Sequence, residues 1–231
     1  MIKNALTYLS DLVFPHVCLA CEKDHAMHHH LFCIHCAYEI TPLNHWYDDA
    51  NDFTSKFYGR VDLRHGAALY KYTPGSKFQN VIHRLKYQGN SDIGIYLGKE
   101  AGEQIIKYWT PIDVIIPVPL HPEKLWARGY NQAERIAQGI REIIEKPILQ
   151  NALIKTSNTV SQTQYHRSQR LQNVEGLFVS DRAVQIMNKH VLLVDDVLTT
   201  GATLEACAQA ILQRHPVKIS MLTLGMGSLY T

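Results

Sequence analysis

Near the carboxyl end of the chain, Val191–Thr203 (VLLVDDVLTTGAT) sets two carboxylates between an apolar run and a segment of threonines and glycine. Four consecutive apolar residues, Val191 to Val194, have the character of a strand buried on both faces. Asp195 and Asp196 stand where that strand is expected to end, projecting from the carboxyl edge of a sheet. The following loop, Leu198, Thr199, Thr200, Gly201, Ala202 and Thr203, runs into a helical pattern carried by Leu204, Cys207, Ala208, Ile211 and Leu212. A helix start offers unpaired backbone N–H groups and the positive end of the helix dipole, which suit a phosphate dianion. Gly201 allows close backbone approach, and the threonines add hydroxyl donors. Strand-end aspartates often do no more than bound a strand, and two carboxylates would repel a bare phosphate. They have a use beside a ligand that carries vicinal hydroxyls as well as a phosphate, and a ribose 5-phosphate is such a ligand. A phosphate-accepting receiver domain also carries strand-end acids, but its acidic pair belongs near the first strand. Here the pair lies on a late one.

A second candidate anion site falls in Ile115–Ala137. A basic loop with Lys124, Arg128, Gly129 and Tyr130 is expected between a strand at Val114–Pro119 and a helix opened by Asn131. Glu134, three residues on, gives that opening the look of a capping box. By the same helix-terminus argument Arg128, beside Gly129, is the candidate for holding pyrophosphate, and a solvated basic turn is the plainer alternative. Thr156–Asn173 is polar and too long for an ordinary connection, in the manner of a lid. Gln164, Arg167 and Arg170 are placed there to fold over a pyrophosphate or, alternatively, to contact a nucleic-acid backbone.

Four of the five cysteines crowd the first forty residues as two C-x-x-C pairs, Cys18/Cys21 and Cys33/Cys36, with eleven residues between the pairs. That spacing lets four thiolates close on one tetrahedral Zn²⁺ in a structural site with no open position for chemistry. A disulfide framework is the alternative and needs an oxidising compartment. His25, His28, His29, His30 and His35 are expected in solvent, and Cys207 in the core.

With 231 residues, 46% hydrophobic and 19% charged, the chain has apolar material for one core and a small satellite. A formal net charge of +2 is too weak to argue nucleic-acid binding by itself. Lys3 precedes an apolar stretch in the manner of a signal peptide, but Asp11 and Pro15 interrupt it and no small-residue cleavage site follows. Ile2, Leu6, Leu9 and Val13 instead recur with helical spacing. No segment approaches the roughly 18 consecutive apolar residues of a membrane span, so a soluble, cytoplasmic protein is expected. Two modules are expected: residues 1–50, with the first helix and the cysteines, and residues 60–231. The stretch 41–54 between their cores is polar and aromatic without a period. In the larger module, His65–Tyr72 reads as a strand, and Phe78, Val81, Ile82 and Leu85 as one face of a helix. Further helices are expected over Ile93–Tyr108 and along Ala133, Ile136, Ala137, Ile140, Ile143 and Ile144. Short strands are expected at Ala152–Ile154 and Gly176–Val179, and a last strand at Val217–Leu224. Apolar strands alternating with amphipathic helices predict an α/β fold, a mostly parallel sheet with helices on both faces and ligands beyond the carboxyl ends of the strands.

The acid–threonine segment resembles the signature of the type I phosphoribosyltransferase fold. That likeness implies a ligand, 5-phosphoribosyl-1-pyrophosphate (PRPP) or a related ribose phosphate, with Asp195 and Asp196 on the ribose hydroxyls and Leu198–Thr203 on the 5′-phosphate. It also implies Mg²⁺ on the pyrophosphate. Taken with VIHRLKYQGN (Val81–Asn90), PVPLHPEKLWARGYNQAE (Pro117–Glu134) and QTQYHRSQRLQNVEGLF (Gln162–Phe178), the whole chain resembles the ComF family of competence proteins, its four motifs in the family's order. Asn90 departs from the pattern, standing where the family often has aspartate. The resemblance implies a zinc-ribbon-like amino-terminal segment and a cytosolic part in DNA uptake, handling single-stranded DNA alongside the uptake machinery. An active transferase that moves ribose 5-phosphate to an unidentified acceptor is the alternative.

Overall fold

Four strands, Leu63–Tyr72, Lys218–Gly227, His190–Leu198 and Val114–Pro117, line up in that order, every neighbouring pair parallel, in a computed structural model that describes residues 17–23, 31–155, 178–180 and 185–227. The expected first helix, His25, His28, His29, His30 and the lid candidates Gln164, Arg167 and Arg170 lie outside the described residues. In chain order the elements are α1 (Ile34–Glu39), α2 (Asp52–Ser55), β1 (Leu63–Tyr72), α3 (Lys77–Tyr87), α4 (Asp92–Tyr108), β2 (Val114–Pro117), α5 (Pro122–Arg128) and α6 (Gln132–Ile144). They are followed by β3 (Leu153–Lys155), β4 (Phe178–Ser180), β5 (His190–Leu198), α7 (Ala202–Leu212) and β6 (Lys218–Gly227).

The sheet is covered on both faces, as the apolar strands require. On one face Leu192, Val194, Leu222 and Leu224 meet α3, α4 and α6. On the other, Val191, Leu193, Ile219 and Met221 meet α2, α7 and the β3–β4 ribbon. The four α3 positions read as one face are all buried, each worth about 1.5–3 kcal/mol relative to exposure. Ser76 caps α3 by accepting from the Gln79 N–H. Helices α4 and α6 pack closely because glycines face each other. A Cβ on Gly98 would stand 2.2 Å from the Ile136 carbonyl oxygen, and one on Gly139 would stand 2.1 Å from that of Ile95.

Two expectations need correction. Asp195 and Asp196 do not follow the strand; β5 runs on through Leu198. On the β6 side its pairing continues, Asp195 opposite Thr223 and Leu198 opposite Met226, whereas on the β2 side it stops at Val194 opposite Pro117. The basic segment is not a loop up to Asn131, because Pro122–Arg128 is helical and is closed by Gly129 in the left-handed region at φ +78°. The short strands at Leu153–Lys155 and Phe178–Ser180 pair antiparallel as a separate ribbon.

Residues 41–57, lacking a period, are nonetheless packed. A 3₁₀ turn at His45–Tyr47 and helix α2 bury Trp46, Phe53 and Phe57. Asn51 makes a reciprocal capping box with Thr54, while its amide nitrogen donates to the carbonyls of His45, Asp48 and Gly66. Cys18, Phe32, Cys36 and Ile40 join the same apolar cluster as Phe78 and Leu97, so the cysteine segment and the sheet share one core.

Candidate functional site

Side chains along a strand alternate between faces, so consecutive acids cannot point the same way. Asp196 follows Leu192 and Val194 to the α3 face, where its carboxylate meets the Lys86 ammonium at 2.9 Å. Asp195 follows Val191 and Leu193 to the α7 face. There it lines a small pocket of about 40 Å³ together with Val197 to Leu204, every residue of the expected phosphate loop included. The Asp196 N–H donates to the Asp195 carboxylate at 2.8 Å. Burial, and then the neighbouring Asp196 charge, push the Asp195 carboxyl up to about 7, against the pull of that N–H, Lys86 and Lys155. Asp195 is thus poised to gain or lose a proton near neutrality.

The loop has the geometry of an anion cradle. Gly201, at φ +85°, turns the chain from β5 into α7, a conformation that disfavours any residue with a Cβ. The Phe57 ring lies 3.1 Å from where that Cβ would stand. No side chain caps α7 at Gly201, and Thr199, Thr200 and Thr203 are exposed around its first turn. The Thr200 hydroxyl accepts only a long bond, 3.4 Å, from the Ala202 N–H.

On the α3 face the second expected site assembles around the end of α3. Arg128 donates to the Gln132 side-chain oxygen at 2.8 Å and to the Tyr87 hydroxyl at 3.4 Å, and its guanidinium lies 5.0 Å from the centre of the Tyr87 ring. The Tyr130 hydroxyl donates to the Leu85 carbonyl, fastening this turn to α3. Asn131 caps α6 through the Ala133 N–H and donates to the Val118 carbonyl, while Glu134 accepts from the Asn131 side chain at 3.4 Å and not from a backbone N–H. Lys86 on Asp196 and Tyr87 against Arg128 are consecutive residues, so the tip of α3 joins the acid pair to the basic turn.

The VIHRLKYQGN motif contains Lys86 and Tyr87 but gave neither a partner, and no motif pointed to Lys56 or Lys155. Lys155, on β3, sits with its ammonium 5.4 Å from the centre of the Phe178 ring and acts on Asp195 from the α7 face. Positive charge therefore flanks the acids on both sides of the strand.

The four expected metal ligands come together. The sulfurs of Cys18, Cys21, Cys33 and Cys36 all lie within 4.8 Å of one another, and Cys21 and Cys33 are 3.8 Å apart, the separation that tetrahedral Zn–S bonds of about 2.3 Å would give. All four are free thiols, so the disulfide alternative has no support. Burial raises the Cys18 thiol, but the Cys33, Cys21 and Ala20 N–H groups outweigh it and bring it down to about 7. Burial and the neighbouring sulfurs push Cys36 well up. Crowded thiols that share charge in this way suit a soft divalent cation. Cys207 is buried on the inner face of α7, as expected. Among the described residues no helix is long and apolar enough to cross a membrane.

Residues 127–225 match the phosphoribosyl transferase domain family, from the last turn of α5 almost to the end of β6. The chain is 32% identical over 131 residues to Competence protein F of Haemophilus influenzae, covering 54% of this chain and 57% of that protein. It is 28% identical over 146 residues to the DNA utilization protein YhgH of Escherichia coli K12 (61% of this chain, 63% of that protein). It is also 28% identical over 153 residues to Competence protein ComFC of Bacillus subtilis (66% and 60%). The matches thus span about three fifths of the length of these relatives. A hypoxanthine phosphoribosyltransferase of Staphylococcus aureus aligns at 17% identity over 61% of this chain and 69% of that one, with a TM-score of 0.38. With a parallel sheet, a phosphoribosyl transferase domain match and this set of relatives, the chain is similar to the ComF and YhgH proteins of competence and DNA utilization.

Proposed function

We propose that the protein binds PRPP, or a closely related ribose phosphate, across the end of β5. The observation that carries this reading is the division of the site by the strand: a small pocket with Asp195 on the α7 face, and Asp196, Lys86 and the Arg128 turn on the α3 face. A ligand with an anionic group at each end and hydroxyls between them matches that layout. The 5′-phosphate enters the Leu198–Thr203 loop and the ribose hydroxyls meet Asp195 and Asp196. The pyrophosphate lies toward Arg128, Gly129 and Tyr130, with Gln164, Arg167 and Arg170 as candidate lid contacts. When the ligand arrives, Lys86 exchanges part of its pairing with Asp196 for the incoming negative charge. Mg²⁺, a hard cation with a preference for oxygen ligands, would neutralise the pyrophosphate when bound. If pyrophosphate departs from C1, the carboxylates stabilise the oxocarbenium-like charge left behind. Isothermal calorimetry with Mg²⁺ and PRPP tests the binding itself.

The relatives' names support a part in competence or DNA utilization, for which we propose a cytoplasmic place and single-stranded DNA as partner; the four-thiol cluster supports structural zinc, in a proposed module of residues 1–50 beside a phosphoribosyltransferase-like domain of residues 60–231. A gel-shift titration should show DNA affinity falling as salt rises, since lysines and arginines release counterions from phosphates. Salt-independent binding, or none, removes the DNA partner. The intact acid pair and loop favour PRPP binding, which the second reading, a transferase acting on an unidentified acceptor, shares. Pyrophosphate release from PRPP in the presence of candidate acceptors separates turnover from binding alone.

A further inference from the structure

Lys56 is a buried cation that the reading above does not use. It follows α2, is 7% exposed, and lies outside the set of residues lining the phosphate pocket. Its ammonium donates to the Thr199 carbonyl at 2.7 Å and to the Gly227 carbonyl at 3.4 Å, so it ties the phosphate loop to the end of β6 from behind. The residues next to it complete a clamp. The Phe57 ring packs where Gly201 lacks a side chain, and Arg60 pairs at 2.5 Å with Glu205 in the first turn of α7. A trans peptide is planar, with C=O and N–H on opposite sides. With the Thr199 oxygen drawn toward Lys56, the Thr200 N–H is turned away from Lys56, and Thr199, Thr200 and Gly201 line the pocket. Arg60 meanwhile neutralises a carboxylate that would otherwise oppose an anion at the start of α7.

We propose that Lys56 is a positioning residue for the phosphate loop, fixing the Thr199–Thr200 peptide so that its N–H faces a bound 5′-phosphate and placing a buried positive charge behind it. This rests on the ribose-phosphate reading. Burial draws the Lys56 pKa down from its ordinary value while the Asp52 carboxylate opposes the change. Phosphate affinity therefore acquires an alkaline limb that begins below the ordinary lysine value of about 10.4.

The test is titration of the full-length protein with ribose 5-phosphate, followed by calorimetry and by the amide resonances of Thr200 and Gly201. Lys56→Met keeps the apolar stem without the charge, and Lys56→Arg keeps the charge. The Met variant should bind ribose 5-phosphate at least about tenfold more weakly and lose the Thr200 amide response, and the Arg variant should recover most of both. The alkaline limb of the wild type should vanish in Lys56→Met. If the folded Met variant binds as the wild type does, or wild-type affinity shows no alkaline limb, the role of Lys56 is overturned while the phosphate site stands. If the wild type does not bind ribose 5-phosphate, the site reading fails and Lys56 falls with it.

Discussion

Replacing Lys86 by Met removes the cation 2.9 Å from Asp196 and leaves a carboxylate whose side chain is only 12% exposed, beside Asp195 on the same strand. At an effective dielectric of about 20 the lost Coulomb attraction is roughly 6 kcal/mol, most of it offset in the native protein by desolvation. Exposed pairs are worth about 0.2–1 kcal/mol, and breaking a buried pair costs about 3–5. With Lys86 itself 24% exposed, the loss should lie between these, about 1.5–3 kcal/mol near pH 7. Urea unfolding of wild type, Lys86→Met, Asp196→Asn and the double variant gives the coupling directly, expected at about 1–2 kcal/mol. The pH dependence adds a second check. A carboxyl whose folded pKa is raised contributes stability below its unfolded value, and that contribution is lost as pH rises through the folded one. For Asp195 this loss runs from 3.8 to about 7. Lys86 holds Asp195 down, so without it the loss extends to higher pH, and the deficit of the Met variant should widen as pH rises through about 7. A coupling under about 0.3 kcal/mol, or a deficit that is flat with pH, refutes the claim that Lys86 neutralises the acid pair.

Three further outcomes are expected. Gly98→Ala should destabilise by about 1–3 kcal/mol despite alanine's better helix propensity, because its Cβ meets the Ile136 carbonyl; a melting temperature equal to or above wild type contradicts the close α4–α6 contact. Ribose 5-phosphate binding should release a proton from Asp195 near neutrality, since the sugar hydroxyls favour the carboxylate, so calorimetric heats should vary with buffer ionisation enthalpy in wild type and less so in Asp195→Asn. Cys18→Ser should lose metal by elemental analysis and lower the stability of residues packed on Phe32 and Ile40, whereas full metal retention contradicts a four-sulfur site.

The strand, turn and helix of the candidate phosphate loop were legible because a short segment carries all their parts: the apolar run fixes the strand, Gly201 the turn, and Leu204 to Ile211 the helix. The division of the acid pair was also implicit in strand alternation, but the length of β5 hid it. Pairing beyond Val194 comes from β6 alone, and nothing in Asp-Asp-Val-Leu announces a strand with one neighbour. Helix α5 escaped because none of its residues is buried, leaving no apolar period to find, although Pro122 at its start and Gly129 at its end were readable signals. Lys86 and Lys56 meet partners 110 and 143 residues away. Such contacts depend on the order β1-β6-β5-β2, which local pattern does not determine. The packing of residues 41–57 was missed for a related reason, since single aromatics anchored by the Asn51 side chain have no period.

The most direct test of a ribose-phosphate site at the end of β5 is calorimetry of PRPP with Mg²⁺ on the wild type and on the Asp195→Ala, Asp196→Ala double variant. Saturable binding by the wild type, weakened at least about tenfold in a double variant that remains folded, is the predicted result. Equal affinity in the two proteins would contradict the assignment.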